Sequence, residues 1–237
     1  MLKDYIVVDL EMTGLRPKTD RILEIGAVKV KNKQVEEIFS RLIRQEFALD
    51  EKIVELTGIT DEEAAAGEDL DLCVRAFLEF AGDMTWIGHN IIFDYGFIRQ
   101  WEVNHRIERA AFAVDTLKIA RKCLPHLEKK SLDYLCDYYG IKRAARHRAP
   151  DDALANQALY EILEKNFLEQ EPELFEKKEL CYKTKRQTPA TLRQKKYLME
   201  LAEYHKIVLD VSVERLNRSE ASRLINQLIW RYGKRQV

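Results

Sequence analysis

The chain has 237 residues and a formal net charge of −1, with 46% hydrophobic and 33% charged residues. This length and composition predict one mid-sized globular domain with a small appendage, and they exclude collagen-like, low-complexity and wholly disordered chains. The net charge conceals an asymmetry, because residues 177–237 carry 15 Lys and Arg against 6 Asp and Glu, a net charge of +9, whereas the residues before them carry −10.

The start of the chain predicts three β-strands. A short apolar, β-branched run at residues 5–10 is typical of a strand that is buried on both faces and central in its sheet. Two further strand patterns, at residues 22–30 and 35–42, are joined by a polar turn at residues 31–34. A short turn between two strands predicts antiparallel pairing, so we expect a meander.

After the meander, the pattern alternates between helices and short strands. Apolar residues recur at helical spacing in residues 70–78 and 93–101, with strand patterns at residues 85–88 and 112–114. A last helix is predicted at residues 150–163. A meander followed by strand–helix units predicts an α/β fold, in which a mixed sheet is flanked by helices.

The end of the chain differs in composition from the rest. Residues 168–187 are rich in Glu and Lys and lack a long apolar stripe, so they are predicted to be a linker. A helix is predicted to start at Thr188 and Pro189, because Thr is favoured at the N-cap and Pro at the first helical position. Apolar residues at helical spacing predict a final helix near residues 221–232. We therefore expect three parts, a main domain at 1–167, a linker at 168–187 and a small basic helical module at 188–237.

The cysteines and the apolar runs indicate the cellular compartment of the protein. The four cysteines are widely spaced and form no C-x-x-C pair, which argues against a zinc ribbon or a disulfide scaffold. No apolar run approaches the roughly 20 residues that cross a bilayer, and the start of the chain turns acidic where a signal peptide needs its cleavage site. We therefore expect reduced thiols in a cytoplasmic protein that does not bind membranes.

Two carboxylates, Asp9 and Glu11, lie two residues apart at the end of the first predicted strand. Side chains two apart in a strand point to the same side, so the two acids are placed side by side. Like charges in such a position are destabilising unless protons or a divalent cation compensate them, which predicts metal binding. The alternative is a pair of exposed surface acids, since an isolated D-x-E pattern is common.

A third acid, Asp94, ends the segment His89-Asn90-Ile-Ile-Phe-Asp, which follows the strand predicted at residues 85–88. This position falls in the first turn of a predicted helix. The helix dipole alone favours an acid there, so Asp94 by itself indicates little.

His147 and Asp152 flank the start of the last predicted helix. Because Pro150 is favoured at the first helical position, Asp152 falls in the first turn and His147 in the preceding loop. An imidazole in a loop can reach a neighbouring site and accept a proton near neutral pH, as a general base must. The alternative is a solvated histidine among basic residues, beside acids that only complement the helix dipole.

Together, these segments give the order D-x-E, H-N-x-x-F-D and H-x-x-x-x-D. This order resembles the DEDD superfamily of 3′–5′ exonucleases, in the branch with a catalytic histidine that includes the proofreading exonucleases of bacterial replicative polymerases. The resemblance covers residues 4–165 and includes T-G-I at residues 57–59 and V-D-T at residues 114–116. It implies an RNase H-like fold and hydrolysis of nucleic acid to 5′-mononucleotides.

The resemblance also implies a role for each motif residue. Two Mg²⁺ or Mn²⁺ ions would be held by four carboxylates, namely Asp9, Glu11, Asp94 and Asp152. His147 would deprotonate the attacking water. Thr13 would contact the terminal nucleotide, and His89 and Asn90 are substrate-binding candidates whose alternative is a structural hydrogen-bonding role. The chemistry agrees, because hard divalent cations take oxygen ligands and stabilise the charge that develops at phosphorus.

The first motif leaves the substrate class open. Residues 9–15 read D-L-E-M-T-G-L, which is closer to oligoribonucleases, because proofreading enzymes more often have Thr in place of Met12. The second motif and the basic module, which a dinucleotide-sized substrate does not need, favour DNA. We therefore expect single-stranded DNA or a frayed 3′ end as substrate, in proofreading or repair. An oligoribonuclease or an RNA-trimming exoribonuclease is the alternative.

The basic module is expected to bind nucleic acid or to tether the chain to a DNA polymerase or repair protein. Its aromatic residues Tyr197, Trp230 and Tyr232 are interleaved with Lys and Arg, which suits base stacking and phosphate contact. The alternative is an aromatic core under a solvated charged face. A nucleic-acid-binding protein without activity is a further alternative, although it would be expected to lose a carboxylate or His147. The oligomeric state stays open.

Overall fold

The computed structural model describes residues 2–209 and 211–235. Within these residues, the chain forms six strands and nine α-helices. The strands are β1 (Tyr5–Met12), β2 (Ile22–Lys31), β3 (Gln34–Leu42), β4 (Trp86–Gly88), β5 (Phe112–Asp115) and β6 (Lys178–Glu179). The helices are α1 (Glu51–Thr57), α2 (Asp61–Ala66), α3 (Leu70–Ala81), α4 (Ile92–Asn104), α5 (Thr116–Cys123), α6 (Leu132–Tyr139), α7 (Ala149–Phe167), α8 (Leu192–Tyr204) and α9 (Arg218–Tyr232).

The strands form one mixed sheet in the order β3-β2-β1-β4-β5-β6. β1, β2 and β3 pair antiparallel, as the predicted meander requires, whereas β4 and β5 run parallel to β1. β6 forms the far edge, antiparallel to β5. This arrangement confirms the predicted α/β class, with β1 in the interior of the sheet.

Each face of the sheet has its own apolar core. Ile6 and Val8 belong to the core that includes residues of α3 and α4, whereas Tyr5 and Val7 belong to the core that includes residues of α5, α6 and α7. The division follows from the alternation of successive strand side chains between the two faces. Because β1 is packed on both faces, the acids near its end have little freedom to move apart.

Two short helices, α1 and α2, lie where the apolar pattern makes no prediction. Their capping residues define them, because Asp50 and Thr60 accept hydrogen bonds from the first turns, and Thr60 forms a capping box with Glu63. α7 runs past the predicted end at residue 163 to Phe167. Among the helices of the described residues, none combines the length and apolar character that crossing a membrane requires.

Residues 168–187, predicted to be a linker, lie along the main domain. They contain β6, and Leu180 donates a backbone hydrogen bond to Ala111 at 2.8 Å. Tyr182 packs against the core on the α4 side, where a Cβ on Gly96 would come within 3.0 Å of its ring. The segment is thus held by backbone pairing and apolar contact. The division of the chain after residue 167 and before residue 188 stays a prediction.

α8 and α9 enclose a small apolar core of their own. α8 begins after Thr191, whose side chain accepts a hydrogen bond from the Gln194 N–H, so the helix start predicted at Thr188 and Pro189 is wrong. Pro189 instead forms an isolated β-bridge with Asn217. Thr191 is the better cap because a glutamine three residues later completes a capping box.

Candidate active site

The carboxyl ends of the parallel strands β1, β4 and β5 meet at one edge of the sheet, where Asp9 and Glu11 of β1 lie. Asp94 is in the first turn of α4, which follows β4, and Asp152 is in the first turn of α7. This edge is where α/β folds bind ligands. The structure brings the four predicted carboxylates together. They lie close enough for the charges of Glu11, Asp94 and Asp152 to raise the pKa of Asp9.

Burial raises the pKa of all four acids, and repulsion from neighbouring acids is the next cause for Asp9 and Glu11. The pKa of Glu11 rises to about 8 and that of Asp94 to about 7, and burial is the largest cause for both. The Leu10 N–H, which donates to Asp94 Oδ1 at 3.0 Å, opposes the shift of Asp94 only in part. The pKa of Asp9 lies well above its ordinary value for the same reasons. Without a cation, the cluster holds protons in compensation for its charge.

A fifth acid, Glu24 of β2, lies opposite Glu11 in the β1–β2 register. It is fully buried and accepts two hydrogen bonds from the Arg148 guanidinium and one from the Ala149 N–H, all at 3.0 Å. This bidentate pair fixes the start of α7 against β2. Glu24 is not among the predicted site residues, although an acid within the apolar run I-L-E-I-G-A-V indicates a buried partner.

Asp152 is held from two sides. Its Oδ1 accepts a hydrogen bond from Arg143 at 2.9 Å, and its Oδ2 accepts one from the His147 backbone N–H at 3.1 Å. Burial raises the pKa of Asp152, and the Arg143 guanidinium opposes that shift. Arg143 is only 4% exposed and also forms an ion pair with Asp133 of α6. Neither Arg143 nor Asp133 is among the predicted site residues, because no motif in the sequence marks them.

His147 lies in the loop before α7, as predicted, and its φ is 56°. This left-handed conformation is uncommon for a residue with a Cβ and indicates that the surrounding contacts hold the loop. Its Nε2 lies 3.6 Å from Asp133 Oδ2, and its side chain is 36% exposed. The imidazole therefore lies beside a carboxylate and is accessible to a ligand.

The potential ligand atoms of Glu11, His147 and Asp152 all lie within 4.8 Å of one another. Carboxylate oxygens and an imidazole nitrogen suit a divalent cation, and these acids are buried beside like charges. The donor set therefore fits a divalent cation, which would replace the compensating protons. Asp9 and Asp94 lie outside this group of three, although Glu11 and Asp152 raise the pKa of Asp9 and the charge of Asp94 raises the pKa of Glu11.

Thr13 follows β1 in the loop that leads to β2. Its N–H donates to the Arg21 carbonyl and its Oγ1 accepts from the Arg21 N–H, both at 2.9 Å. These bonds close the loop and leave the hydroxyl hydrogen of Thr13 free for a ligand. Leu15, two residues further, is 66% exposed. Leu15 is a candidate for apolar contact with a ligand, although no motif in the sequence predicts that role.

His89 and Asn90 have partners within the protein. The His89 Nε2–H donates to the Lys130 carbonyl at 2.7 Å, and its Nδ1 lies 3.0 Å from Thr116 Oγ1. Burial lowers the pKa of His89. Asn90, with a φ of 69°, donates its N–H to Asp115 Oδ1, the N-cap of α5. These contacts favour the structural alternative, and a role of either residue in substrate binding stays a prediction.

The sequence is similar to known exonuclease domains. Residues 6–160 match the model of the RNase T exonuclease family. The DNA polymerase III PolC-type protein of Clostridium perfringens is 34% identical over 171 residues, which is 72% of this chain and 12% of that protein. The PolC-type protein of Listeria monocytogenes is 36% identical over 156 residues, which is 65% of this chain and 11% of that protein. The chain thus spans a small part of the length of these relatives.

Solved structures share the fold. Exonuclease I of E. coli in complex with a dT13 oligonucleotide superposes with a TM-score of 0.57 and 20% identity, covering 73% of this chain and 43% of that chain. Exonuclease X in complex with 5′ overhanging duplex DNA gives a TM-score of 0.56 and 20% identity, covering 73% of this chain and 99% of that chain. The likeness confirms the predicted RNase H-like mixed sheet flanked by helices.

Proposed function

Because the chain belongs to the RNase T exonuclease family, we propose that it removes nucleotides from the 3′ end of single-stranded DNA by hydrolysis. The observation that carries this proposal is the cluster of four carboxylates beside His147 at the carboxyl edge of the sheet. Such a cluster destabilises a fold unless it binds protons or cations, so a structural role alone does not account for it.

The reaction is attack of water on the last phosphodiester. The water oxygen bonds to phosphorus, the bond from phosphorus to the 3′ oxygen breaks, that oxygen takes up a proton, and a 5′-mononucleotide leaves. Negative charge develops on the phosphoryl oxygens, and the acids of this chain cannot compensate it. Two Mg²⁺ or Mn²⁺ ions would compensate this negative charge. The proposed ligands of the ions are Asp9, Glu11, Asp94 and Asp152.

His147 is the proposed general base. Its ring lies beside Glu11 and Asp152 and is accessible to solvent, so it can take the proton of a water molecule at the cluster. Asp133, whose Oδ2 lies 3.6 Å from the ring nitrogen, would stabilise the imidazolium that forms. The backbone N–H of His147, which donates to Asp152, fixes the base relative to one of the proposed ligands.

DNA is the proposed substrate class. The PolC-type relatives are DNA polymerases by name, and the structures of exonuclease I and exonuclease X with the same fold contain DNA. The same similarity supports a place in proofreading or repair, beside a polymerase or repair protein. Met12 in the first motif is the observation that favours the alternative, an oligoribonuclease or RNA-trimming exoribonuclease.

The test is hydrolysis of 5′-labelled strands by the full-length chain. Single-stranded DNA, a mismatched primer–template and RNA of the same sequence are compared in Mg²⁺, Mn²⁺ and EDTA. We expect a ladder of shortened labelled DNA in either ion and none in EDTA. Faster hydrolysis of RNA than of DNA would replace the DNA proposal by the exoribonuclease alternative.

Two variants assign the residues. Asp9→Ala should lose activity and calorimetrically measured Mn²⁺ binding, whereas retention of more than about a tenth of the rate contradicts its role as a metal ligand. His147→Ala should lower kcat by about 10²- to 10⁴-fold with a much smaller change in KM. A loss confined to KM would assign His147 to binding. His126→Ala, which changes an exposed histidine outside the cluster, is the control.

A further inference from the structure

The loop between β1 and β2 lies between the acidic cluster and α9. Two ion pairs join it to that helix, Arg21 with Glu220 at 3.0 Å and Arg223 with Asp20 at 2.9 Å. The same loop carries Thr13, which is hydrogen-bonded to Arg21. α9 therefore contacts the loop that leads away from the candidate active site.

A row of side chains on α9 begins at Arg223, which contacts the loop, and continues along the solvent-exposed side of the helix. Arg223, Gln227 and Trp230 are spaced by four and three residues, so they lie along one face over about 10 Å of the helix. Trp230 is 89% exposed, an unusual position for the largest apolar side chain. Together with Asn226, and with Arg16 and Thr19 of the loop, these side chains line a shallow cavity of about 490 Å³.

The lining of this cavity has the chemistry of a nucleic-acid-binding surface. It consists of two arginines, a threonine, two amides and a tryptophan, so its charged groups are positive. Arg16 is exposed and has no ion-pair partner among the described residues, and the Arg223 side chain keeps 48% exposure despite its pair with Asp20. An exposed indole ring beside guanidinium groups suits stacked bases joined by phosphates.

We propose that this surface, which we call the α9 platform and which consists of Arg16, Thr19, Arg223, Asn226, Gln227 and Trp230, binds single-stranded DNA on the 5′ side of the nucleotide being removed. A base stacks on Trp230, and phosphates contact Arg16 and Arg223. The direction of the strand rests on the proposed function, whereas binding itself does not. The platform offers positive charge to a polyanion beside residues 1–176, whose net charge of −10 repels it.

The test is the affinity of the full-length chain for a fluorescent 20-nucleotide dT strand, measured by anisotropy in EDTA so that no hydrolysis occurs. We expect Trp230→Ala to weaken binding by roughly 5- to 150-fold, the range for the loss of one stacked base, and Trp230→Phe to restore most of it. Leu192→Ala is the matched control, because Leu192 is 85% exposed in the same module. It should bind like wild type.

Salt dependence tests the phosphate contacts. Arg16→Gln should reduce the slope of log affinity against log salt concentration by about 0.7, the value for one contact to a single strand. Lys165→Gln, an exposed cation about 20 Å along α7 from Asp152, should leave the slope unchanged. An unchanged slope in the Arg16 variant would contradict the assigned contact.

Two outcomes separate this proposal from the proposed function. Equal affinity of wild type and Trp230→Ala for the strand at every salt concentration overturns the α9 platform, even if the chain hydrolyses DNA. Binding through Trp230 in a chain that hydrolyses nothing refutes the proposed function and leaves the platform in place. If both hold, Trp230→Ala should raise KM for the 20-nucleotide strand and leave trinucleotide hydrolysis unchanged. A Trp230-dependent preference for RNA over DNA would contradict the assignment to DNA.

Discussion

The raised pKa of Glu11 makes the stability of the metal-free chain depend on pH. Its pKa is about 8 in the metal-free fold, against 4.5 for an ordinary glutamate, chiefly because it is buried. Between these two pH values the folded chain binds a proton that the unfolded chain has lost. The free energy of unfolding of the metal-free chain therefore falls as the pH rises from about 4.5 to about 8.

Glu11→Gln removes this titration. In EDTA, we expect the variant to melt several degrees above wild type at pH 8 and close to wild type at pH 5, because about 1 kcal/mol shifts the Tm of a chain of this size by roughly 2–4 °C. Mg²⁺ should raise the Tm of wild type more at pH 8 than at pH 5. Melting curves of the two proteins that run parallel from pH 5 to pH 8 would contradict the raised pKa.

We expect Asp133 to affect turnover, because it lies beside both Arg143 and His147. Asp133→Asn should lower kcat by about 10- to 100-fold, the usual cost of removing an outer partner of a metal site, with a smaller change in KM. Asp133→Glu should restore part of the rate. Asp137→Asn is the matched control on the same helix, because Asp137 pairs with the exposed Arg146. Equal losses in the Asp133 and Asp137 variants would show that α6 acts only through its charge.

The sequence predicts the site residues whose local surroundings carry a pattern. Asp9 and Glu11 follow an apolar strand and Asp152 follows a helix-starting proline, so their positions at one edge could be inferred before the structure. Glu24 and Arg148 are 124 residues apart, and their pairing depends on the packing of α7 against β2. No periodicity encodes such a contact, which is why these residues are visible only in the structure.

At the scale of secondary-structure elements, α7 and β2 approach each other closely beside the site. Gly26 of β2 lies opposite Asp9 in the register, and a Cβ there would come within 2.1 Å of the Ala149 carbonyl carbon and 2.3 Å of the Pro150 nitrogen. Only glycine allows this approach. The position of Asp152 relative to Asp9 therefore depends on the absence of one methyl group.

Gly26→Ala tests that dependence. We expect the added methyl to push the start of α7 away from β2, at a cost of about 1–3 kcal/mol, and to lower both the Tm and kcat. Ser40→Ala is the control, because Ser40 pairs with Gly26 on β3 and is exposed. A Gly26→Ala variant with the Tm and rate of wild type would mean that the helix can shift without disturbing the site.

The elements that the sequence predicts are those with a continuous apolar run or a periodic apolar face. The strands of the meander, β4, α4 and β5 have one or the other, and they form where predicted. β6 consists of two exposed polar residues, and this composition predicts a linker. It is a strand because it pairs with β5, and its own sequence does not show that pairing. α1 and α2 depend on their caps, which a search for apolar periodicity overlooks.

At the scale of the whole molecule, the charge asymmetry has a spatial counterpart. The acidic part of the chain contains the cluster of carboxylates, and the basic part contacts the loop that follows β1 through α9. The two ion pairs at this junction are partly exposed and contribute little to stability. The basic part is therefore expected to affect the binding of a polyanion more than the folding of the main domain.

Truncation separates these effects. Removal of residues 188–237 leaves the sheet intact, so a chain of residues 1–187 should melt cooperatively and cleave trinucleotides at the full-length rate. Its affinity for a 20-nucleotide strand should be lower at low salt, with a difference that shrinks steeply as salt rises, and it should release long strands earlier. Loss of trinucleotide cleavage in this chain would show that the module helps to build the site and that the predicted boundary is wrong.

A second truncation tests residues 168–187. A chain of residues 1–167 lacks β6, Leu180 and Tyr182, so the edge of β5 and part of the core beside α4 become exposed. We expect this chain to melt well below the chain of residues 1–187 and to aggregate more readily, because an unpaired strand edge invites pairing with other chains. Light scattering and thermal melts of the two chains measure the difference. If they behave alike, residues 168–187 act as the linker that their composition predicts, and β6 contributes nothing to the stability of the sheet.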